Sequence, residues 1–446
     1  MKFSITTSAL LFFLILSCGM APQVEDMNTI SEFTPPDDPG LAVYRETIFT
    51  VDLHLLPRNE IDWETAVHIP SIQVTYDDNG RITEIVGLWM GRPSDRVNVA
   101  SFSPMLRISY EPGIETVSFH WADGEPFREM GFCGYRIAGS DNDVFSTMEF
   151  LQENGSVLID PSGIAYRQIE NEGEGWYIET MHDENDALVP FSENGVYAVR
   201  QRLNSLKDQI ATENTDSLGN LLPLFEEVYL IERDFNSAGH LIEVKRYDSD
   251  GNVFESPDSP GWETYEVSPS GLTTAFSVLD PDGSPAVDLY GVSTHMIEYD
   301  QFGRITRTKR YDINGDPTTI AGVWGTEKEY DDDLLQTTST TFDHNGEPVD
   351  SNGFATVVTV SDVSGNSNSI SFYDSDGDPA FDNIDVHQYR FIYTTHSKLL
   401  ERQIWNSSGA PDTCSLGFHN ELYAYDELGN FLGTEYQDVN GQTITY

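Results

Sequence analysis

Three turns of this chain read Asp-x-Asp-Gly: Asp248-Ser249-Asp250-Gly251, Asp280-Pro281-Asp282-Gly283 and Asp374-Ser375-Asp376-Gly377. Calcium loops begin with carboxylates at alternate positions ahead of a glycine, which makes Asp248, Asp250, Asp374 and Asp376 the metal candidates. The pattern stops short of a full site, because no third alternate Asp and no later Glu follow at constant spacing. Asp312-Ile313-Asn314-Gly315 makes the same turn with an amide. Turn formation is the stronger reading, weak surface calcium binding is the leading metal hypothesis, and no other cofactor is expected. The ten histidines are scattered, so zinc has no support. There is no Gly-x-Ser-x-Gly elbow, phosphate loop or dinucleotide fingerprint, and carboxylates are too abundant for a glycosidase-like pair to stand out. No catalytic residue is assigned. The chain is expected not to be an enzyme, and any catalysis would sit in the irregular stretch 100–215.

The residue with the clearest chemistry is Cys18. Met1 and Lys2 give a positive start, Ala9 to Leu16 form an unbroken apolar run, and the segment closes Ile15-Leu16-Ser17-Cys18-Gly19. Such a segment is a signal peptide, too short to span a membrane as a helix. Its end resembles the lipobox of bacterial lipoproteins, which implies cleavage before Cys18 and lipid attachment to it. Gly19 in place of aspartate then implies an outer membrane as destination, where the host has one; plain secretion or a periplasmic location is the alternative. Cys133 and Cys414 lie far apart in sequence and are expected to be buried thiols, since a disulfide needs Cα atoms within about 7 Å.

The bulk numbers narrow the partners. Across 446 residues, 24 Lys and Arg face 74 Asp and Glu, a net charge of −50. Such a surface repels phosphate backbones and anionic headgroups, which argues against nucleic acid as a partner and leaves a lipid as the expected membrane contact. Disordered acidic chains are poor in aromatics, whereas this one is 12% Phe, Trp and Tyr, so it is read as folded.

The elements that must position these residues come from a repeat. Turn glycines recur at Gly219, Gly251, Gly283, Gly315, Gly346, Gly377, Gly409 and Gly441, with successive spacings of 32, 32, 32, 31, 31, 32 and 32 residues. A second ladder runs through Gly239, Gly271, Gly303, Gly365 and Gly429, twelve residues ahead of its partner in the first. Its two missing members fall at Leu334 and Ser397, where strained or remodelled turns are expected. Asp at the head of each turn accepts backbone N–H bonds, and glycine in the left-handed region closes a short hairpin loop of type I turn plus bulge. Extended backward, the frame places turns near 187, 155, 124 and 91.

Between turns lie strand-like segments of about seven residues with period-two alternation, such as His295-Met296-Ile297-Glu298-Tyr299. Tyr or Phe stands directly before the turn Asp at Tyr76, Tyr247, Tyr299, Tyr311, Tyr330, Phe342, Tyr373 and Tyr425, and aromatic ladders from unit to unit are expected. Trp262, Trp324 and Trp405, in or near inter-turn segments, are candidates for stacking on a sugar or a partner side chain, with core packing as the alternative. Arg202 to Asn214 carries Leu203, Leu206 and Ile210 at helical spacing and suggests a short helical insertion.

The spacing of the Tyr-Asp-x-x-Gly turns resembles the YD repeats of the RHS family, and more loosely the MORN and related hairpin-repeat families, clearly over about 216–446 and weakly over 76–215. The resemblance implies a spiral β-sheet. The shell function of RHS proteins is not carried over.

The expected organisation is a signal peptide with lipobox over 1–18, a flexible tether over 19–40, degenerate β-repeats over 41–215 and regular hairpin repeats over 216–446. The expected fold is all-β: an elongated antiparallel meander coiling into a spiral or solenoid-like ribbon, with a closed β shell as the rival. The expected function is protein or glycan interaction, or adhesion, at the cell surface or envelope. The alternative is a structural envelope lipoprotein without a discrete ligand.

Overall fold

The computed structural model describes residues 40–444 apart from 101, 129–130, 140–144, 192–193, 255, 257–259 and 427–428. The segment expected to be a signal peptide, Cys18, and the expected tether up to residue 39 lie outside the described residues.

One turn explains the architecture. At Asp312 the backbone N–H donates to the Asp316 carbonyl (2.8 Å) and the Gly315 N–H returns to the Asp312 carbonyl (3.1 Å). The Asp312 carboxylate then accepts from the N–H groups of Asn314 (2.8 Å) and Asp316 (2.9 Å). A short polar side chain at the first position therefore satisfies the donors that the reversal strands, and the fourth residue sits at φ +81°. Every glycine of both ladders has positive φ, from +75° at Gly409 and Gly441 to +89° at Gly365. Where the glycine is missing, Ser397 itself takes φ +57°, whereas the other gap moves the left-handed residue one place on, to Leu335 at +51°. There the flanking strands lengthen until Asp331 pairs with Gln336.

The resulting sheet is antiparallel throughout, with 30 strands among the described residues. It begins with a rearrangement. Strand β1 (Leu41–Phe49) pairs on one side with β2 (Leu55–Ile61) and on the other with β3 (Ser71–Tyr76), which continues to β4 (Ile82–Trp89). Strand β2 is therefore the starting edge. From β4 onward each long strand pairs with the next, through Met105–Glu111 and Ile114–His120 to Phe431–Gln437.

The hairpin path also runs through 100–215, with left-handed residues at Gly124, Gly155 and Asp186, following one at Gly91. No helix forms over 202–214. Strands Ala198–Leu203 and Gln209–Thr215 flank a turn in which the Asn204 carboxamide accepts from the N–H groups of Leu206 and Asp208, with Lys207 at φ +66°. The apparent helical spacing of Leu203, Leu206 and Ile210 comes from apolar residues on two strands and the turn between them. The single helix among the described residues is Trp63–Ala66, capped by Asp62, whose carboxylate accepts the Thr65 N–H (2.7 Å).

The sequence reading missed a third turn in the units of Gly283, Gly315, Gly346, Gly377 and Gly409. After a first-ladder turn the chain folds back, and a second reversal follows at Gly291, Gly322, Gly353, Asp385 and Gly417, all at positive φ. These lie at the same end of the strands as the first ladder, so that edge, the rim, carries two turns per unit and the opposite edge one.

The ribbon coils. Arg45 on β1 reaches the Phe302 carbonyl 257 residues away, His68 meets Asp332 at a separation of 264, Ser94 bonds the Ser364 carbonyl at 270, and His396 faces Asp95 at 301. These partners advance together along both segments. The second-ladder turns of a later winding thus rest on the first winding, mainly on its rim, through side chains and without a β-ladder. The sheet is a spiral with open edges and no barrel closure.

Candidate interaction surface

Of the calcium candidates, the carboxylates of Asp248 and Asp374 serve their own turns. The Asp248 carboxylate accepts from the Asp250 and Asn252 N–H groups, both at 2.9 Å. These bonds, the Asn252 backbone first, hold its carboxyl below the ordinary value. Asp374 accepts in the same way from Asp376 (3.0 Å) and Asp378 (2.9 Å). Among the described residues no three His, Cys, Asp or Glu side chains converge as a metal site. Cys414 is buried and Cys133 half-buried, both as free thiols.

Of the rings before the turns, Tyr311 and Phe342 form one short ladder through Trp324, edge to face at 5.7 Å on each side. Two others use their hydroxyls as straps: Tyr299 donates to the Thr273 carbonyl (2.7 Å) and Tyr330 to the Ile305 carbonyl (2.9 Å). Tyr110, in the first winding, does the same to Ile82 (2.9 Å). Each strap crosses to the preceding hairpin because the ring lies along the sheet, which leaves its π-face to cations. Arg304 sits 4.4 Å above Tyr330 and Arg81 4.4 Å above Tyr110.

The three tryptophans are likewise engaged on the sheet. Trp262 donates to Glu243 (2.8 Å) under Lys245, and Trp324 donates to the Arg310 carbonyl (2.6 Å) between Tyr311 and Phe342. The Arg390 guanidinium lies 3.8 Å above Trp405.

The seam between the windings is the most specific constellation. Arg58 pairs with Asp208 (2.9 Å) and donates to the Leu206 carbonyl; Lys207 pairs with Asp52. His68 stacks on Phe302 at 3.7 Å and bonds Asp332 at 2.9 Å. Further along, Trp121 stacks on His396 at 4.6 Å, and Lys398 lies over the same indole at 5.6 Å. Burial pulls the Lys398 ammonium down to about 8. Three of these contacts share one logic. Leu206, Phe302 and Ser364 each stand two places after the turn residues Asn204, Asp300 and Asp362, and each offers its carbonyl to a side chain of the first winding.

A cavity of about 430 Å³ opens on the seam, lined by Arg45, His68, Trp89, Arg304, Tyr330 and Asp332 among others. It lies where the second ladder lacks its glycine, beside Leu335. The Trp89 indole nitrogen is buried there without a hydrogen-bond partner among the described residues, its ring against Gly365. Sequence reasoning missed this site because its residues come from strands more than two hundred positions apart. The missing glycine at 334 was the one legible sign.

A buried and a half-buried carboxylate complete the inventory. Glu421 is paired with Arg402 and receives the Tyr423 hydroxyl, a closed polar triad in the C-terminal core. Glu115 lies on the core-facing side of its strand, and burial alone holds its carboxyl up at about 7.

No family model matches the chain, and no curated protein matches it. Among solved structures it is similar to TcdB2-TccC3, at 10% identity and a TM-score of 0.23, covering 85% of this chain and 22% of that one. It is also similar to the Photorhabdus luminescens Tc holotoxin pore, at 12% identity and a TM-score of 0.26, with the same coverage. The chain spans about a fifth of the length of these neighbours. At such scores the likeness carries no argument about function.

Proposed function

We propose that this chain is a non-enzymatic interaction protein of the bacterial envelope, exported and held by a lipid on Cys18, which binds a protein or glycan through its repeated turn edges. The observation that carries this reading is repetition. The same turn, with the same acceptor groups, recurs about every 32 residues along an open ribbon, and multivalent recognition uses such a surface. The signal segment and Cys18 support the location.

The test is a glycan array together with a pull-down from solubilised bacterial envelopes, using protein from Gly19 onward. Retention of one glycan class or one envelope protein is the expected result. Failure to retain either, with turnover of an envelope substrate, would replace the reading with an enzymatic one. Lipid labelling should be lost in Cys18→Ala; labelling that survives would remove the anchor.

A further inference from the structure

The seam displays how this protein caps a row of its own turns: Arg45 and Arg58 donate guanidinium bonds to the Phe302 and Leu206 carbonyls. The rim of the later winding offers the same groups without a cap. Its turns at Asp216, Asp280 and Asp312 have the seam geometry, with the glycine N–H bonded back to the Asp carbonyl at 2.8–3.1 Å. Yet no donor among the described residues reaches the tip carbonyls of Leu218, Asp282 and Asn314. Apolar side chains stand out along the same edge: Leu218 is 85% exposed, Leu289 56% and Ile313 51% at or near these turns, and Leu416, three units further on, is 56% exposed. Single exposed leucines are ordinary, but a row of them on one edge, next to uncapped acceptors, marks an interaction surface.

We propose that this rim docks an extended, arginine-bearing polypeptide, whose guanidinium groups bond successive turn carbonyls as Arg45 and Arg58 do at the seam. The inference rests on the interaction reading above and names the partner class. Charge selects that partner. A net charge of −50 repels a second copy of the chain and anionic membrane surfaces alike, and the rim turns place carboxylates such as Asp216, Asp282 and Asp312, bonded within their turns but charged, near those carbonyls. Spacing selects its conformation. Two strands per unit at about 4.8 Å advance the rim by about 10 Å, which is about three residues of a polyproline II-like extended chain at about 3.1 Å each, a conformation in which every third side chain faces the same way. Arginines at every third position would therefore meet one turn carbonyl each, with the intervening apolar residues against Leu218, Leu289 and Leu416. Arginine suits the role better than lysine because its planar fork can bond a carbonyl and a neighbouring carboxylate together.

The experiment measures fluorescence anisotropy of a labelled peptide of about 18 residues, with arginine at every third position and leucine between, added to the full chain. A peptide of identical composition with its arginines contiguous controls for plain charge attraction. The spaced peptide is expected to bind at least about tenfold more tightly, a difference of about 1.4 kcal/mol. The triple variant Leu218→Ser, Leu289→Ser, Leu416→Ser, altered only at exposed positions, is expected to lose that advantage. Equal binding of the two peptides, or unchanged binding by the triple variant, overturns the proposal. A triple variant that binds the spaced peptide normally but still captures its partner from envelopes leaves the interaction reading standing and removes the rim. A native chain that captures neither peptide nor envelope partner removes both.

Discussion

The first winding and the middle repeats build the same hairpin by different means. Residues 41–182 hold a contiguous apolar core, in which Val74, Ile85, Leu106, Val117, Phe119 and Tyr135 are almost fully buried. Strand β4 is buried on both faces, with Ile85 in that core and Val86 and Leu88 in a second cluster against Val43 and Ala66. None of the apolar clusters draws a described residue from 216–345. The middle strands are mostly half-buried and rich in threonine, as in Gln336–Phe342, and are tied by ion pairs such as Arg246–Glu263 and by the turn bonds.

The difference teaches what each region leans on: side-chain packing in the first winding, turn and ion-pair bonds in the middle. The first winding keeps glycine at Gly80, Gly124 and Gly155, and just past its core Asp186 and Lys207 bear positive φ at the glycine's place. The middle keeps its glycine at every first-ladder turn, with the one gap of its second ladder at Leu334.

The largest expected effect sharpens this contrast. Phe119→Ala should cost about 3–5 kcal/mol in urea unfolding, since the side chain is 1% exposed among other rings. Phe276→Ala in the middle, on a half-buried ring stacked on His295, should cost less than half of that. Equal costs would erase the distinction.

Acid should cost the middle repeats more than the first winding, where the raised Glu115 offsets the lowered Asp77. Glu115 has a folded-state value raised to about 7 from 4.5, so its folded form holds a proton that the unfolded chain releases. Its stability penalty is absent below about pH 4.5, grows as pH rises and is complete above about pH 7. Glu115→Gln should stabilise the protein at pH 8 by about 2 kcal/mol, with little change at pH 4. The turn carboxylates behave inversely: Asp248 and Asp312 are held below their ordinary value by backbone N–H bonds, so their contribution is present above about pH 4 and lost as pH falls further. Hydrogen exchange at pH 3 should therefore show the middle repeats opening before the first winding; uniform loss of protection would contradict this.

Smaller effects address the turns directly. A Cβ at Gly251 or at Gly155 meets nothing within 4 Å, so alanine at either should cost about 1–2 kcal/mol through backbone conformation alone. Similar costs in thermal melts would mark the turn as intrinsic, whereas a negligible cost at Gly155 would show that packing carries the first region's turns. Ser397→Gly, which relieves a side chain at φ +57°, should gain about 0.5 kcal/mol.

Much of the fold was legible because its determinants are local. An Asp that bonds the two N–H groups ahead of it and a residue forced to positive φ leave a mark in sequence, and both ladders could be read from that mark. The third turn was less legible because its left-handed position is filled by Gly417 in one unit and Asp385 in another, without a fixed leading Asp. The supposed helix at 202–214 failed for a related reason: Asn204 performs the Asp role and Lys207 the glycine role, so the turn was hidden. The seam was not legible at all. Its contacts depend on how many units complete one winding, which follows from the summed twist of the sheet and from no single residue.

The winding itself is the claim on which the seam and the free rim both depend, and small-angle scattering from the chain beginning at Gly40 tests it most directly. A ribbon wound on itself should give a radius of gyration below about 28 Å, against about 22 Å for a fully compact chain of this length. An unwound meander would be about 27 strand widths of about 4.8 Å, because three of the 30 strands are two-residue fold-backs beside a longer neighbour, and would approach about 37 Å; a value in that range would contradict the account.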